Sequence, residues 1–421
     1  MRVLSDRNGA SVDPTSRIEV DLDAVAHNLG VVRSTAPGTG VCAVLKADGY
    51  GLGAARLAKR LAAAGIEMLG VYTPEQARAL LDLHISAPIL MLMPIRKMER
   101  DDRLYRAASL GQLHLTAHDA GNLQALVEIA DGLGIALPVH LEVDTGMSRG
   151  GATLRDASGL VARINEHPRL RLAGVFTHYA SADIDRAFTM EQCERFAAWL
   201  DSEGKNIPKD CLIHQANTFA LFRDSSTHAR MVRVGLALLG YAGEEFADPE
   251  GFALGERAGE LHGCVRWTSR IVHVKAIGAE TPVGYGSTWK AERSSRIGLV
   301  PVGYADGYPL GLSSRSGEPP ARVGVVLDAG IRGYAPVVGR VSMDQITIDL
   351  TDLPVDGVGV GTEVELVSMD REAPNTLPKL AKRAGTITHE LLCRLSPRLP
   401  RTYRSGEVVG RSASVSLRTA R

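Results

Sequence analysis

The stretch VCAVLKADGYGLGAARLAKRLAAAGIEMLGVYTPEQARALLDLHISAPILMLM (41–93) decides the fold. Three short apolar runs, VCAVL (41–45), EMLGV (67–71) and ILMLM (89–93), are separated by longer segments whose apolar residues recur at helical spacing. The chain therefore reads strand, helix, strand, helix, strand. The rhythm continues through QLHLT (112–116), PVHLEV (138–143), AGVFTH (173–178), LIHQA (212–216) and MVRV (231–234). Between the runs, PEQARALLDLH (74–84) and DAGNLQALVEIADG (119–132) predict helices, the second opening on Asp119 as its N-cap. Eight runs of this kind predict an α/β fold of the TIM-type (β/α)8 barrel. A doubly wound open sheet shows the same alternation, and the count alone leaves it open.

Beyond about residue 260 the texture changes to short strands broken by Gly and Pro: SRIVHVKAI (269–277), RIGLVPV (296–302), ARVGVVL (321–327), QITIDL (345–350) and TEVELVS (362–368). The expected organisation is a flexible segment at 1–16, the barrel at 17–258, a mostly β C-terminal domain at 259–409 and a flexible tail at 410–421. Two cores suit a chain of 421 residues. Lys plus Arg and Asp plus Glu are equal at 48 each, so no general attraction to nucleic acid or acidic lipid is expected. The cysteines at 42, 193, 211, 264 and 393 form no C-x-x-C pair, which argues against a disulfide framework or zinc knuckle. No metal site is expected. Without a signal-like apolar core at the start or a membrane-length run, the expected location is the cytoplasm.

In a barrel, chemistry collects where strands end and βα loops begin. Lys46 follows the first run directly in VLKADGYG. There a lysine is ordinarily a rim charge, but apolar walls can desolvate it into a nucleophilic amine. Tyr50 stands four residues on and shares a helical face with it if the segment is helical; otherwise it packs on the rim. His178 closes the sixth run, Asn217 and Thr218 close the seventh, and Arg233 and Gly235 lie on the eighth. The last two loops are where barrels commonly hold phosphate, and the Thr218 hydroxyl with the amides of Gly235 and Leu236 suits a dianion; a simple capped turn reads equally well. EVDTGMSRGG (142–151) gathers Glu142, Asp144 and Arg149, either a buried ion-pair network or an anion clamp.

Together the segments AVLKADGYG, DTGMSRGG, THYASAD, HQANT, MVRVGL, VGYGSTW, PVGYADGYP, GRVSMDQ and LLCRLSPRLPRTY, spread in order from residue 43 to 403, resemble alanine racemase, a pyridoxal-phosphate family built from a barrel and a β domain. The resemblance implies that Lys46 carries pyridoxal 5'-phosphate as a Schiff base. It implies that Tyr50, Thr218, Gly235 and Leu236 hold the phosphate, that Arg233 faces the pyridine nitrogen, and that His178 and Asn217 line the cofactor. Tyr285, supplied by the partner subunit of a homodimer, would be the second catalytic base, with His178 near it. Arg149 and Met343 would hold the carboxylate of a small amino-acid substrate, with Asp344 and Arg340 near the entrance.

Three positions depart from the commonest family pattern. Glu142 stands where many members carry a carbamylated lysine, and the expectation is that its carboxylate orients Arg149 without carbon dioxide. His389, in TITHELL, replaces a tyrosine that touches the phosphate and narrows the entrance, which leaves serine or a broader substrate range beside alanine. Ser342 stands where cysteine is frequent. A decarboxylase of the same fold type would place a carboxylate where Arg233 stands, and a non-catalytic pyridoxal-phosphate carrier would not need the domain holding Tyr285.

Overall fold

The computed structural model describes residues 14–246, 253–314, 316–327 and 332–406. Most of the expected leading segment and all of the expected tail at 410–421 lie outside the described residues. In chain order, the first half holds β1 (Arg17–Asp21), β2 (Gly40–Val44), β3 (Met68–Val71), β4 (Ile89–Met91), β5 (Leu113–Ala117), β6 (Leu137–Asp144), β7 (Ala152–Thr153), β8 (Leu170–Phe176), β9 (Leu212–His214) and β10 (Met231–Val234).

Eight of these, all but β1 and β7, are the eight apolar runs. They pair in parallel in the order β5-β4-β3-β2-β10-β9-β8-β6, and β5 also pairs with β6, from Leu115 opposite Val139 to Ala117 opposite Leu141. That last ladder closes the ring and excludes the open sheet. The helices between strands follow their caps: Thr73 forms a capping box on Pro74–Leu81, and the Asp119 side chain accepts from Asn122 N at the head of Ala120–Leu133.

Alternation along the strands divides the barrel into two apolar sets. One side packs outward against the helices in the main core. The other forms a small cluster of its own, Cys42, Met68, Leu90 and Met231 with Leu92 and Leu212 against it, which fills the floor of the lumen. Two residues on from Leu212 and Met231, on the same face, stand His214 and Arg233. The lumen thus changes from apolar to polar within one pleat.

The second half holds β11 (Val265–Arg270), β12 (His273–Ile277), β13 (Pro282–Val283), β14 (Trp289–Lys290), β15 (Ser295–Val300), β16 (Arg322–Val326), β17 (Arg332–Val338), β18 (Ile346–Asp349), β19 (Glu363–Val367) and β20 (Arg401–Arg404), with helices Leu377–Ala384 and Thr388–Arg394. Nine strands make one sheet in the order β12-β15-β18-β17-β16-β19-β11-β1-β20. The run expected as one strand at 269–277 is two, because the chain changes neighbour: Ile271 N bonds Thr362 O while Val272 N bonds Leu299 O.

β1 lies within the range expected for the barrel, yet it pairs antiparallel with β11 and parallel with β20 in the second sheet. Its buried Ile18 and Val20 enter that core, and Glu19 joins Glu363 and Glu365 around Arg266 at 3.2, 2.7 and 2.8 Å. Both ends of the described chain are therefore fastened to the β domain, with the barrel between them. Among the described residues no helix is long and apolar enough to cross a membrane.

Candidate active site

Lys46 leaves β2 into an unusual turn. Ala47, Asp48, Gly49 and Tyr50 all have φ between 53° and 63°, a left-handed stretch in which each non-glycine residue costs about 1–2 kcal/mol. The condition for Lys46 and Tyr50 to share a helical face, a regular helix at this point, is not met. The turn closes with Gly49 N to Leu45 O (2.9 Å) and Gly51 N to Ala47 O (2.8 Å), and the Asp48 carboxylate caps Ala54 N at 2.8 Å. It leaves Lys46 on the open side of the mouth and turns the Tyr50 ring into the core, where it is buried. The Lys46 ammonium is pushed below its ordinary pKa, first by desolvation and then by the charges of Arg149 and Arg233.

Arg233 is 6% exposed and has no carboxylate within ion-pair distance among the described residues. Its donors go to neutral acceptors: Nη1 to His214 O (2.9 Å) and His214 Nδ1 (3.0 Å), Nη2 to Thr177 O (2.9 Å) and His178 Nδ1 (3.2 Å). The guanidinium lies over the Phe176 ring at 4.8 Å, and that ring stacks on His214. A buried cation without a direct counter-ion is costly to folding, which makes it a functional-site candidate. His178 is held well below its usual pKa by burial and then by Arg233, Arg149 and Lys46. Since guanidinium only donates, His178 Nδ1 must accept, and the proton of the neutral ring sits on Nε2.

At the end of β10, Gly235 leaves room for a ring. A Cβ there would stand against the Tyr50 hydroxyl, 2.7 Å from Cζ and 2.8 Å from Cε2. Beside it Thr218 Oγ1 accepts from Ala237 N at 3.2 Å, so its own proton is free to donate. Asn217 is the N-cap of Thr218–Arg223, its side chain accepting from Ala220 N at 3.0 Å. His389 closes the cradle, its ring 5.9 Å from that of Tyr50 and 6.0 Å from that of Phe219. Its Nδ1 is buried with no partner among the described residues. Burial, then Lys46, lowers its pKa to about 4.

Glu142 does not reach Arg149. Its Oε2 pairs with His118 Nδ1 at 2.8 Å, and no ion pair or hydrogen bond joins it to Arg149 among the described residues. The reason is register: Glu142 points inward from β6, two residues beyond His140, and His118 comes off the adjacent β5. Burial opposes a charge on His118, but the Glu142 hydrogen bond and carboxylate outweigh it and raise the pKa above its ordinary value. At longer range Glu142 also favours the charge on Arg233. Nothing in the sequence signalled His118.

The remaining expected residues lie on the β domain. Tyr285 is 72% and Met343 55% exposed. Tyr285 and Arg340 line one surface groove with Ser342 and Gln345. Asp344 pairs with Arg398 (2.7 Å), which also holds Asp306 (2.6 Å), and Ser342 Oγ donates to Gln345 O at 2.7 Å. The chain therefore brings Lys46, Tyr50, Arg149, His178, Thr218, Arg233, Gly235, Leu236 and His389 to the barrel mouth. Tyr285, Arg340, Met343 and Asp344 gather on a separate, open face. His214, Thr177 and Cys393 were not foreseen; burial pushes the Cys393 thiol up, and the Lys46 charge only partly offsets it.

The chain matches the family model "Alanine racemase, N-terminal domain" over residues 20–243 and "Alanine racemase, C-terminal domain" over residues 264–403. It is 33% identical over 392 residues to the alanine racemase of Halothermothrix orenii, covering 92% of this chain and 96% of that protein. The structure of alanine racemase from D-cycloserine-producing Streptomyces lavendulae superposes with a TM-score of 0.81 at 29% identity, over 94% of this chain and 99% of that one. Alanine racemase from Bartonella henselae, solved with covalently bound pyridoxal phosphate, gives a TM-score of 0.76 at 25% identity over 93% and 100% of the two chains.

Proposed function

The chain belongs to the alanine racemase family, and from that premise we propose that it interconverts L- and D-alanine with pyridoxal phosphate by a two-base mechanism between Lys46 and Tyr285. The residues present fit the cofactor. The close approach of the Tyr50 hydroxyl that Gly235 permits and the His389 Nδ1, which has no partner among the described residues, suit a phosphate, as do Thr218 and the Gly235 and Leu236 amides. Bound there, pyridoxal phosphate supplies the electron sink that makes the alanine Cα–H acidic.

The observation that carries this reading is Arg233, a buried cation whose donors all go to neutral groups. Arginine does not surrender its charge. Assigned to the pyridine nitrogen, it opposes protonation there by like-charge repulsion, where a decarboxylase would place a carboxylate. A Cα proton is then lost and regained quickly at carbon, which suits racemisation. Lys46, its pKa lowered by desolvation, moves the proton on one face as a neutral amine.

On the other face we assign Tyr285 of the partner subunit, in a homodimer. In favour of this are its exposure within a single chain and the His178 Nε2–H, which the Arg233 contact leaves free to donate to a phenolate. Arg149 and Met343 are assigned to the substrate carboxylate, Arg340 and Asp344 to the entrance. His118 clamps Glu142, and the anion so fixed favours the charge on Arg233 at a distance. We place the enzyme in the cytoplasm, with five free cysteines.

His389 favours a second reading of substrate range: an imidazole in place of a phenol widens the entrance enough for serine. Turnover of each enantiomer in deuterated water tests the main proposal. The expected result is deuterium at Cα accompanied by inversion from either starting enantiomer; exchange with complete retention would overturn two-face chemistry.

A further inference from the structure

The barrel lumen contains a chain of histidines that the mechanism above does not use. His214 Nε2 lies 2.9 Å from His140 Nδ1, and His140 Nε2 lies 2.8 Å from His114 Nδ1. All three rings are buried, on β9, β6 and β5. Successive ring centroids are 5.1 Å apart and the ring planes are steeply inclined, so these are edge-on hydrogen bonds and not stacks. The inner end of the chain is Arg233 Nη1, 3.0 Å from His214 Nδ1.

Arg233 fixes the direction of every bond in this chain. A guanidinium has no acceptor, so His214 Nδ1 accepts and its proton sits on Nε2. That proton is donated to His140 Nδ1, which must then accept and carry its own proton on Nε2. The same step repeats at His114, whose remaining proton lies on Nε2. No ring can take a second proton without setting donor against donor. Burial opposes the charge as well, lowering His140 and His214 well below the ordinary value and His114 to about 4. The charges facing the chain, Arg233 at one end and Arg171 toward His114 and His140, act in the same sense; only the Gly111 backbone favours a proton on His114.

The fold makes room for this arrangement. At Gly174 on β8 a Cβ would stand against His140 Nδ1, 2.5 Å from Cε1 and 2.8 Å from Cγ. A glycine in a barrel strand interior weakens the strand, and here its reason is the close approach of the middle ring.

We propose that His214, His140 and His114 form a tautomer-locked chain that holds Arg233 from behind, so that His140 and His114 are positioning residues for the racemase reaction although neither reaches the mouth. This rests on the assignment of Arg233 to the pyridine nitrogen. An imidazole acceptor locked in one tautomer fixes the guanidinium at no electrostatic cost to its charge, whereas a carboxylate in that place would neutralise it.

The chain itself is tested without cofactor or substrate. Long-range 1H–15N spectra of histidine-labelled, cofactor-free protein should show these three rings as neutral Nε2–H tautomers from pH 5.5 to 8. Any of them found as the Nδ1–H tautomer, or cationic at pH 7, overturns the lock, whatever the fate of the mechanism. Its consequence is read on loaded enzyme. In H140F or G174A the guanidinium loses its fixed acceptor chain, and pyruvate released per alanine racemised should rise about tenfold, the equivalent of one buried hydrogen bond, with KM for alanine within twofold. H114A, at the far end of the chain, serves if either variant fails to fold and should give a smaller rise in the same ratio. A partition unchanged within twofold in the folded variants overturns the positioning role.

Discussion

Replacing Gly235 with alanine should cost the protein most of its hold on pyridoxal phosphate while leaving the fold in place. The new methyl would stand 2.7 and 2.8 Å from Tyr50 Cζ and Cε2, against about 3.5–4.0 Å for an ordinary carbon contact. The ring must therefore retreat by roughly 1 Å. Tyr50 is buried in the core, where such overpacking costs about 1–3 kcal/mol, less than the ~5–15 kcal/mol that holds a domain together. The retreat carries the hydroxyl away from the phosphate. A hydrogen bond to a charged group is worth about 1.5–3 kcal/mol, so Kd for the cofactor should rise roughly 10- to 150-fold. Titrating cofactor-stripped protein with pyridoxal phosphate, followed by absorbance, measures this directly. In a Tyr50→Ala background the same substitution meets open space, and its cost in thermal stability should nearly vanish. Wild-type affinity in Gly235→Ala, within twofold, would refute the assignment of the Tyr50 hydroxyl to phosphate.

Lys46→Ala should abolish covalent capture of the cofactor on borohydride treatment, seen as absence of the mass increment; a retained increment removes Lys46 from its role. His118→Phe should destabilise the protein by about 1–3 kcal/mol at pH 6 and by less at pH 9. The folded pKa of His118 is raised, so its stabilisation is full below the unfolded value near 6.5 and fades as pH climbs through the folded value; an equal loss at both pH values in urea melts counts against the charged pair. Tyr285→Phe should slow proton abstraction from one enantiomer of Cα-deuterated alanine far more than from the other, and equal small effects would dismiss it as the second base. His389→Tyr should tighten cofactor binding and lower the serine-to-alanine ratio of kcat/KM, and an unchanged ratio would show that this position does not set the range.

Residues buried on both faces of a parallel sheet read as continuous apolar runs, which is why VCAVL and MVRV announced their strands. RIEVD at 17–21 is just as regular, but its partners lie beyond residue 264 and at 401. Nothing local tells a strand which of two sheets it joins. The left-handed turn was illegible because Ala47 and Asp48 have no intrinsic preference for positive φ; only Gly49, Gly51 and Gly53 hint at it. Strand-end positions 46, 178, 218 and 233 were legible as candidates because barrel topology sends strand ends to one rim. The partner of Glu142 was not, because it depends on which inward residue of β5 stands beside it, a matter of register and not of sequence spacing.

The left-handed turn after Lys46 has a consequence for how the molecule comes into being. Three non-glycine residues at positive φ, Ala47, Asp48 and Tyr50, carry about 3–6 kcal/mol that something must offset. Much of the clasp comes from the far end of the chain. Leu392 O presses on Gly51 and the Tyr403 ring on Gly53, while Arg401 Nε donates to Gly51 O at 3.2 Å and Tyr403 Oη to Leu52 O at 3.0 Å. The loop that bears the lysine is translated well before the residues that clasp it. A nascent barrel can collapse before then, but its lysine turn gains these contacts only when the β domain docks on it. The shape of the lysine turn thus draws on both domains.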